Sequence, residues 1–125
     1  MLALLALIGC ADSEDIPLAP DNVVTDGGSW SLSLAPDPDP PTAGEAALVI
    51  GVVGAVDSGA TESAAVTALV PWMPEHSHGI TDDAVITDNG DDTFTVDWTY
   101  AMSGYWEVTI TLDDGEEAVV GYEVE

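Results

Sequence analysis

The chain has 125 residues and no lysine or arginine, and its 24 aspartates and glutamates give a formal net charge of −24 at pH 7. This length fits one domain. A surrounding field of one sign repels polyanions, which makes nucleic acids and anionic lipid surfaces poor partners, and it concentrates cations near the surface. Solvation in salty surroundings explains the same acidity without any specific cation role.

An apolar run opens the chain and ends in Leu7-Ile8-Gly9-Cys10, which resembles a bacterial lipobox. The run is too short to span a bilayer, which needs about 20 apolar residues. It also lacks the basic start of a secretory signal, so we interpret residues 1–10 as a truncated signal with Cys10 as its lipidation site. An ordinary free or buried cysteine is the alternative. The first interpretation predicts a lipid-anchored protein of the bacterial cell envelope, periplasmic or surface-exposed, whose only membrane contact is its anchor.

Polar and turn-forming residues dominate residues 11–29 and predict a flexible acidic tether, which leaves residues 30–125 as the folded domain. Strict alternation over residues 30–34 predicts a first half-buried strand, and a proline-rich segment ends it. Residues 46–56 are apolar on both alternating faces, as in a central strand or a buried helix. Two internal glycines and the β-branched content favour the strand.

Residues 65–70 predict another strand, and alternation resumes after residue 83. A short strand precedes the hairpin signal Asn89-Gly90, and three amphipathic strands joined by short turns follow it. These four segments are residues 84–87, 94–100, 106–112 and 118–124. The aspartate clusters between them fit solvated turns and lack the spacing of a calcium-binding loop. About seven strands without a helix predict an all-β, immunoglobulin-like antiparallel β-sandwich.

Both histidines and one of the three methionines lie within residues 71–79, Pro-Trp-Met-Pro-Glu-His-Ser-His-Gly. The prolines and the closing glycine predict a shaped turn between strands. His76 and His78 are two residues apart, so extended backbone would send both imidazoles to one side. Imidazole with thioether suits copper, above all Cu(I), which makes Met73, His76 and His78 candidate ligands. Met102 joins this set if its loop lies at the same end of the sandwich.

Two alternatives compete with a copper site. The histidines can be simple loop residues beside methionines that pack in the core, or Glu75 can join them in a zinc or nickel site. No nucleophile elbow, phosphate-binding loop or Cys/His pair is present, so we expect no enzymatic activity. Trp30, Trp98 and Trp106 are predicted core residues, whereas the position of Trp72, in the proposed turn, stays open.

The order of these features is similar to that of the YtkA-like domain family. The similarity is carried by Trp72-Met73-Pro74, by His76-Ser77-His78-Gly79, and by the later stretch from Met102 to Val108. The positions that match the family are Met73, Pro74, His78, Gly79, Gly104 and Trp106. The resemblance implies a small exported bacterial β-sandwich, often a lipoprotein, related to proteins found near copper-handling and cytochrome-oxidase maturation systems. Glu75 and His76 depart from the family pattern, which has methionine or small residues there.

Two functional hypotheses follow. The first is a non-catalytic extracytoplasmic lipoprotein domain that binds or passes copper through its Met/His loop. The second is a metal-free immunoglobulin-like module that interacts or assembles with a protein partner. Proximity of the 71–79 and 102–104 loops would favour copper. Imidazoles that are splayed apart, or sealed by backbone hydrogen bonds, would favour the interaction module.

Overall fold

The computed structural model of the protein describes residues 16–55 and 64–125, so the predicted signal with Cys10 and residues 11–15 of the predicted tether lie outside the described residues. The described chain forms nine strands and no helix. They are β1 (Asn22–Val24), β2 (Trp30–Asp37), β3 (Gly44–Gly54), β4 (Val66–Met73), β5 (His78–Gly79), β6 (Val85–Asp88), β7 (Thr93–Tyr100), β8 (Gly104–Leu112) and β9 (Glu117–Val124). Among these residues there is consequently no helix that could cross a membrane.

The strands form two antiparallel sheets that pack face to face. One sheet has the order β1-β2-β3-β7-β6, and the other has the order β9-β8-β4-β5. Strands β2, β3, β7 and β6 facing β4, β8 and β9 reproduce the four-on-three arrangement of a constant-type immunoglobulin domain. The predicted immunoglobulin-like β-sandwich is confirmed, with β1 and β5 as additional edge strands.

Period-two alternation places one side of each long strand in the core. In β3, Leu48 and Ile50 are buried, whereas Val49 and Val53 on the opposite face are 37% and 60% exposed. The ambiguous apolar segment is therefore a central strand with one buried face. The predicted core tryptophans are buried, which confirms that expectation: they are Trp30, Trp98 and Trp106.

The prediction of about seven strands is too low, because the described chain has nine. The two additional strands, β1 and β5, are three and two residues long. β1 lies inside residues 11–29, for which the sequence predicted a tether without regular structure. Ahead of it, Gly121 N donates a hydrogen bond to Pro17 O at 2.8 Å. Backbone hydrogen bonds to neighbouring strands hold β1 and β5 in place. Both strands are too short and carry too few apolar residues to produce a periodic pattern in the sequence.

The predicted turn over residues 71–79 is shorter than expected. β4 continues through Pro71 to Met73, and β5 begins at His78, so the turn itself covers residues 74–77. β4 pairs with β8 along one side, but its other side pairs with β5 only at the last two residues of β4. A strand with a largely open side accommodates a proline, which explains why Pro71 does not end β4.

Hydrogen bonds to carboxylates tie the β8–β9 hairpin to the start of β2. The Glu116 carboxylate accepts hydrogen bonds from Thr25 Oγ1 at 2.6 Å and from Ser29 Oγ at 2.6 Å. Trp30 Nε1 donates to Asp114 Oδ2 at 2.9 Å. The hydroxyl donors of Ser29 and Thr25 lower the pKa of Glu116. In a chain without lysine or arginine, hydroxyl and indole groups thus provide the hydrogen bonds that stabilise these carboxylates.

Candidate metal site

Both histidines lie at the tight turn between β4 and β5. Met73, at the end of β4, pairs in register with His78 at the start of β5. His76 N donates a hydrogen bond to Met73 O at 3.2 Å, which closes the turn. Ser77 has a φ of +53°, in the left-handed region. The imidazoles therefore meet because the chain reverses sharply between them, and not because it is extended as the sequence suggested.

The spacing of the two imidazoles is compatible with a shared metal ion. Their ring centroids are 5.8 Å apart and their planes are inclined by 35°. A metal–nitrogen bond of about 2.0 Å places an ion about 3.2 Å from each centroid, so two rings on one ion are at most about 6.4 Å apart. The observed separation of 5.8 Å falls within this limit. The rings are thus close together and not splayed.

A backbone contact orients one of the two imidazoles. His78 Nδ1 lies 3.1 Å from Gly79 O, and this contact is a hydrogen bond when Nδ1 carries the proton. Its other ring nitrogen, Nε2, then holds the lone pair that a metal requires. Metal-binding histidines commonly make this kind of outer contact, which orients the ring. The backbone hydrogen bond occupies one of the two nitrogens and leaves the other for a ligand.

The stretch from Met102 to Gly104 adjoins this turn. Gly104 has a φ of +131°, and a Cβ at this position would overlap the methyl group of Met73. Trp106 Nε1 donates a hydrogen bond to Met102 O at 3.0 Å. The same indole packs edge-on against His78, with ring centroids 5.9 Å apart and an interplanar angle of 77°. The two sequence stretches predicted to form one site are therefore in contact.

The candidate ligands differ in their accessibility. Met73 is fully buried, with 0% of its surface exposed, whereas Met102 is 38% exposed. His76 is exposed and His78 is half-buried. Within residues 16–55 and 64–125, no three histidine, cysteine, aspartate or glutamate side chains are arranged to share a metal, so Glu75 does not form such a set with the imidazoles. The accessible groups are two imidazoles and one thioether.

Aromatic rings continue from the turn into the space between the sheets. Trp106 packs on Tyr100 with centroids 5.2 Å apart, and Tyr100 packs on Trp98 at 5.4 Å. Burial, reinforced by the neighbouring Tyr122, raises the pKa of Tyr100. The turn thus rests on a buried aromatic cluster. The sequence predicted Trp106 as a core residue but did not predict that it contacts both His78 and Met102. The contact with His78 depends on how the β4–β5 turn, which is distant in sequence, is folded.

The chain matches no known family in a comparison with family profiles, and it matches no curated protein. Functional inference consequently rests on the groups gathered at the β4–β5 turn.

Proposed function

We propose that this protein is a non-catalytic, immunoglobulin-like domain of the bacterial cell envelope that binds a copper ion at the β4–β5 turn. His76 and His78 supply two nitrogen ligands, and Met102 supplies a thioether. The observation that carries the proposal is the 5.8 Å separation of the two imidazole centroids. Contact between the turn and the loop of Met102 supports it. The lipobox-like sequence at Cys10 supports placement in the cell envelope.

The chemistry of these donors favours copper over harder metal ions. Thioether sulfur is a soft ligand that selects Cu(I), and imidazole binds both oxidation states of copper. Zinc and nickel would gain from an added carboxylate, but Glu75 does not form a three-membered set with the imidazoles. Copper also stands above its neighbours in the general affinity order of divalent metals. The site is therefore best matched to Cu(I), with Cu(II) as the second choice.

Exposure of the turn supports a role in holding or passing copper. His76 and Met102 both face solvent, so another protein could reach an ion bound between them. The net charge of −24 raises the local concentration of cations and speeds their arrival. A structural metal would instead be enclosed by its ligands. The resemblance to the YtkA-like family points to the same role.

The test is a titration of the full chain with Cu(I) under reducing conditions, in parallel with Cu(II) and Zn(II). His76→Ala/His78→Ala and Met102→Leu remove the proposed ligands. Asp91→Asn/Asp92→Asn is the matched control, because it removes two negative charges from the exposed β6–β7 hairpin. We expect one Cu(I) per chain and at least about a 100-fold loss of affinity in the histidine variant, beyond the effect of an outer contact alone.

The control separates a specific site from general attraction to the acidic surface. If both double variants weaken Cu(I) binding equally, the ion is held by surface charge and the proposal is wrong. Binding that is weak, indifferent to the metal and unchanged by the histidine variant also contradicts it. The metal-free interaction module would then be the leading account. The melting temperature of each metal-free variant shows whether its fold is retained.

A further inference from the structure

The outer face of the four-stranded sheet carries two aromatic rings that lie over glycines. One row across this sheet reads Gly121, Glu107, Trp72 and Gly79 in register. A Cβ on Gly79 would lie 3.4 Å from Trp72 Cε3, and a Cβ on Gly121 would lie 2.8 Å from Tyr105 Cε1. Gly121 therefore leaves the space that the Tyr105 ring occupies, whereas Trp72 is in ordinary van der Waals contact with the Gly79 position, where the closest atom is Pro71 O at 3.1 Å. Both aromatic side chains thus lie beside glycines of the outer strands.

Large apolar side chains on this outer face are exposed to solvent. Trp72 is 43% exposed, and Val70, two residues before it on the same strand, is 55% exposed. Neither side chain is covered by another strand of the described chain, because both lie on the outer side of β4. Tyr105 is half-buried. An exposed tryptophan beside an exposed valine forms the kind of apolar surface that commonly marks a binding site.

A carboxylate lies between the two rings. Tyr105 OH donates a hydrogen bond to Glu107 Oε2 at 3.3 Å, which leaves that carboxylate with further acceptor capacity. Glu123 pairs with Tyr105 in register on the next strand and adds a second carboxylate to the same face. The whole chain contains no lysine or arginine. A ligand of this surface must therefore combine apolar faces with its own hydrogen-bond donors.

We propose that Trp72, Tyr105 and Glu107, which we name the aromatic platform, bind a neutral oligosaccharide. A pyranose ring packs its C–H face on the electron-rich face of an aromatic ring, and its hydroxyl groups donate to carboxylates. The negative charge of the protein complements these donors and repels acidic glycans. This site is separate from the proposed copper ligands and goes beyond the proposed function.

The layout of the platform predicts the length of its ligand. The glycines beneath the rings lie on β5 and β9, the two outer strands of the four-stranded sheet. Strand spacing of about 4.8 Å separates the two glycines by about 14 Å. The rings belong to the neighbouring strands β4 and β8 and lie between those positions, so an oligosaccharide that crosses the strands can contact both rings. An open face also suits an extended chain better than an enclosed small molecule.

The test measures binding of cellohexaose and chitohexaose to the metal-free full chain by calorimetry. Hexagalacturonate serves as the acidic glycan and pentalysine as a cationic peptide. We expect a neutral hexasaccharide to bind and hexagalacturonate not to bind. Trp72→Ala and Tyr105→Ala should each weaken binding at least about tenfold, which is the equivalent of 1.4 kcal/mol. Trp72→Phe should retain most of the affinity, because it keeps an aromatic face.

Two further variants test the geometry. Gly121→Ala should weaken sugar binding, because the added Cβ displaces the Tyr105 ring. His76→Ala/His78→Ala should leave sugar binding unchanged, so failure of the copper proposal is distinguishable from failure of this one. The inference is overturned if neither neutral hexasaccharide binds, or if binding survives Trp72→Ala in full. Pentalysine binding that depends on Trp72, without sugar binding, would assign the platform to a cationic peptide instead.

Discussion

Substitution of Met73 separates a packing role from a ligand role. The Met73 side chain is fully buried, and its methyl group lies against Gly104. Met73→Ala removes three heavy atoms from a filled space and should lower the free energy of unfolding by about 2–5 kcal/mol. Met73→Leu keeps nearly the same volume and should cost less than about 1.5 kcal/mol. The first variant therefore tests packing, and the second tests the sulfur atom alone.

Urea unfolding of the metal-free full chain gives the free-energy differences, and competition titration gives the Cu(I) affinity of each variant. Met73 is fully buried, so we assign it to packing rather than to the copper site, and we expect Met73→Leu to retain Cu(I) affinity within about threefold. Met102→Leu should lower that affinity by at least about tenfold, or 1.4 kcal/mol. A Met73→Leu variant of near-native stability that loses tenfold or more in Cu(I) affinity would refute this reasoning and make Met73 a ligand.

Three other predictions concern the surroundings of the turn and the opposite end of the sandwich. Trp106→Phe keeps a ring but loses the indole hydrogen bond to Met102 O. It should lower the unfolding free energy by about 1–3 kcal/mol and the Cu(I) affinity by roughly tenfold or more. Unchanged Cu(I) affinity would contradict a positioning role for Trp106. Gly104→Ala adds a clash with Met73 to backbone strain, whereas Gly115→Ala, at a φ of +91° with open space around it, adds strain alone. Urea unfolding should show a larger loss for Gly104→Ala, and equal losses would argue against the contact. Glu116 has a lowered pKa when folded, so its contribution is present above its unfolded pKa of about 4.3 and is lost as pH falls through the folded value. Melting temperatures of Glu116→Gln should consequently fall less than those of the native chain on acidification, and an identical acid response would show that this carboxylate is uncoupled from folding.

Alternating side chains predicted most of the long strands of the fold. Residues 94–100 and 106–112 each place one set of apolar side chains on a single face, and a period of two admits only a half-buried strand. The strand of residues 22–24 gave no such signal, because only Val23 is even partly buried. Backbone hydrogen bonds to β2 define it, and those depend on a partner that no local pattern specifies.

The candidate site was predictable in composition but not in detail. Clustering of His76 and His78 in nine residues was visible in the sequence, but the sharp reversal that brings their imidazoles together was not. The left-handed backbone of Ser77 was not visible, because serine has no strong preference for that conformation. Burial separates Met73 from Met102, and that difference arises from packing across strands that are distant in sequence.

The edge contact between Trp106 and His78 gives the molecule an optical readout of its own. Their ring centroids lie 5.9 Å apart, so an ion held about 3.2 Å from the His78 centroid would lie at most about 9 Å from the centroid of a buried fluorophore. Cu(II) quenches indole emission at such range, whereas closed-shell Zn(II) does not. Emission that is present in the native chain and missing from Trp106→Phe would isolate this one indole from the other three tryptophans. Quenching of this emission would then report Cu(II) binding at the turn without a label.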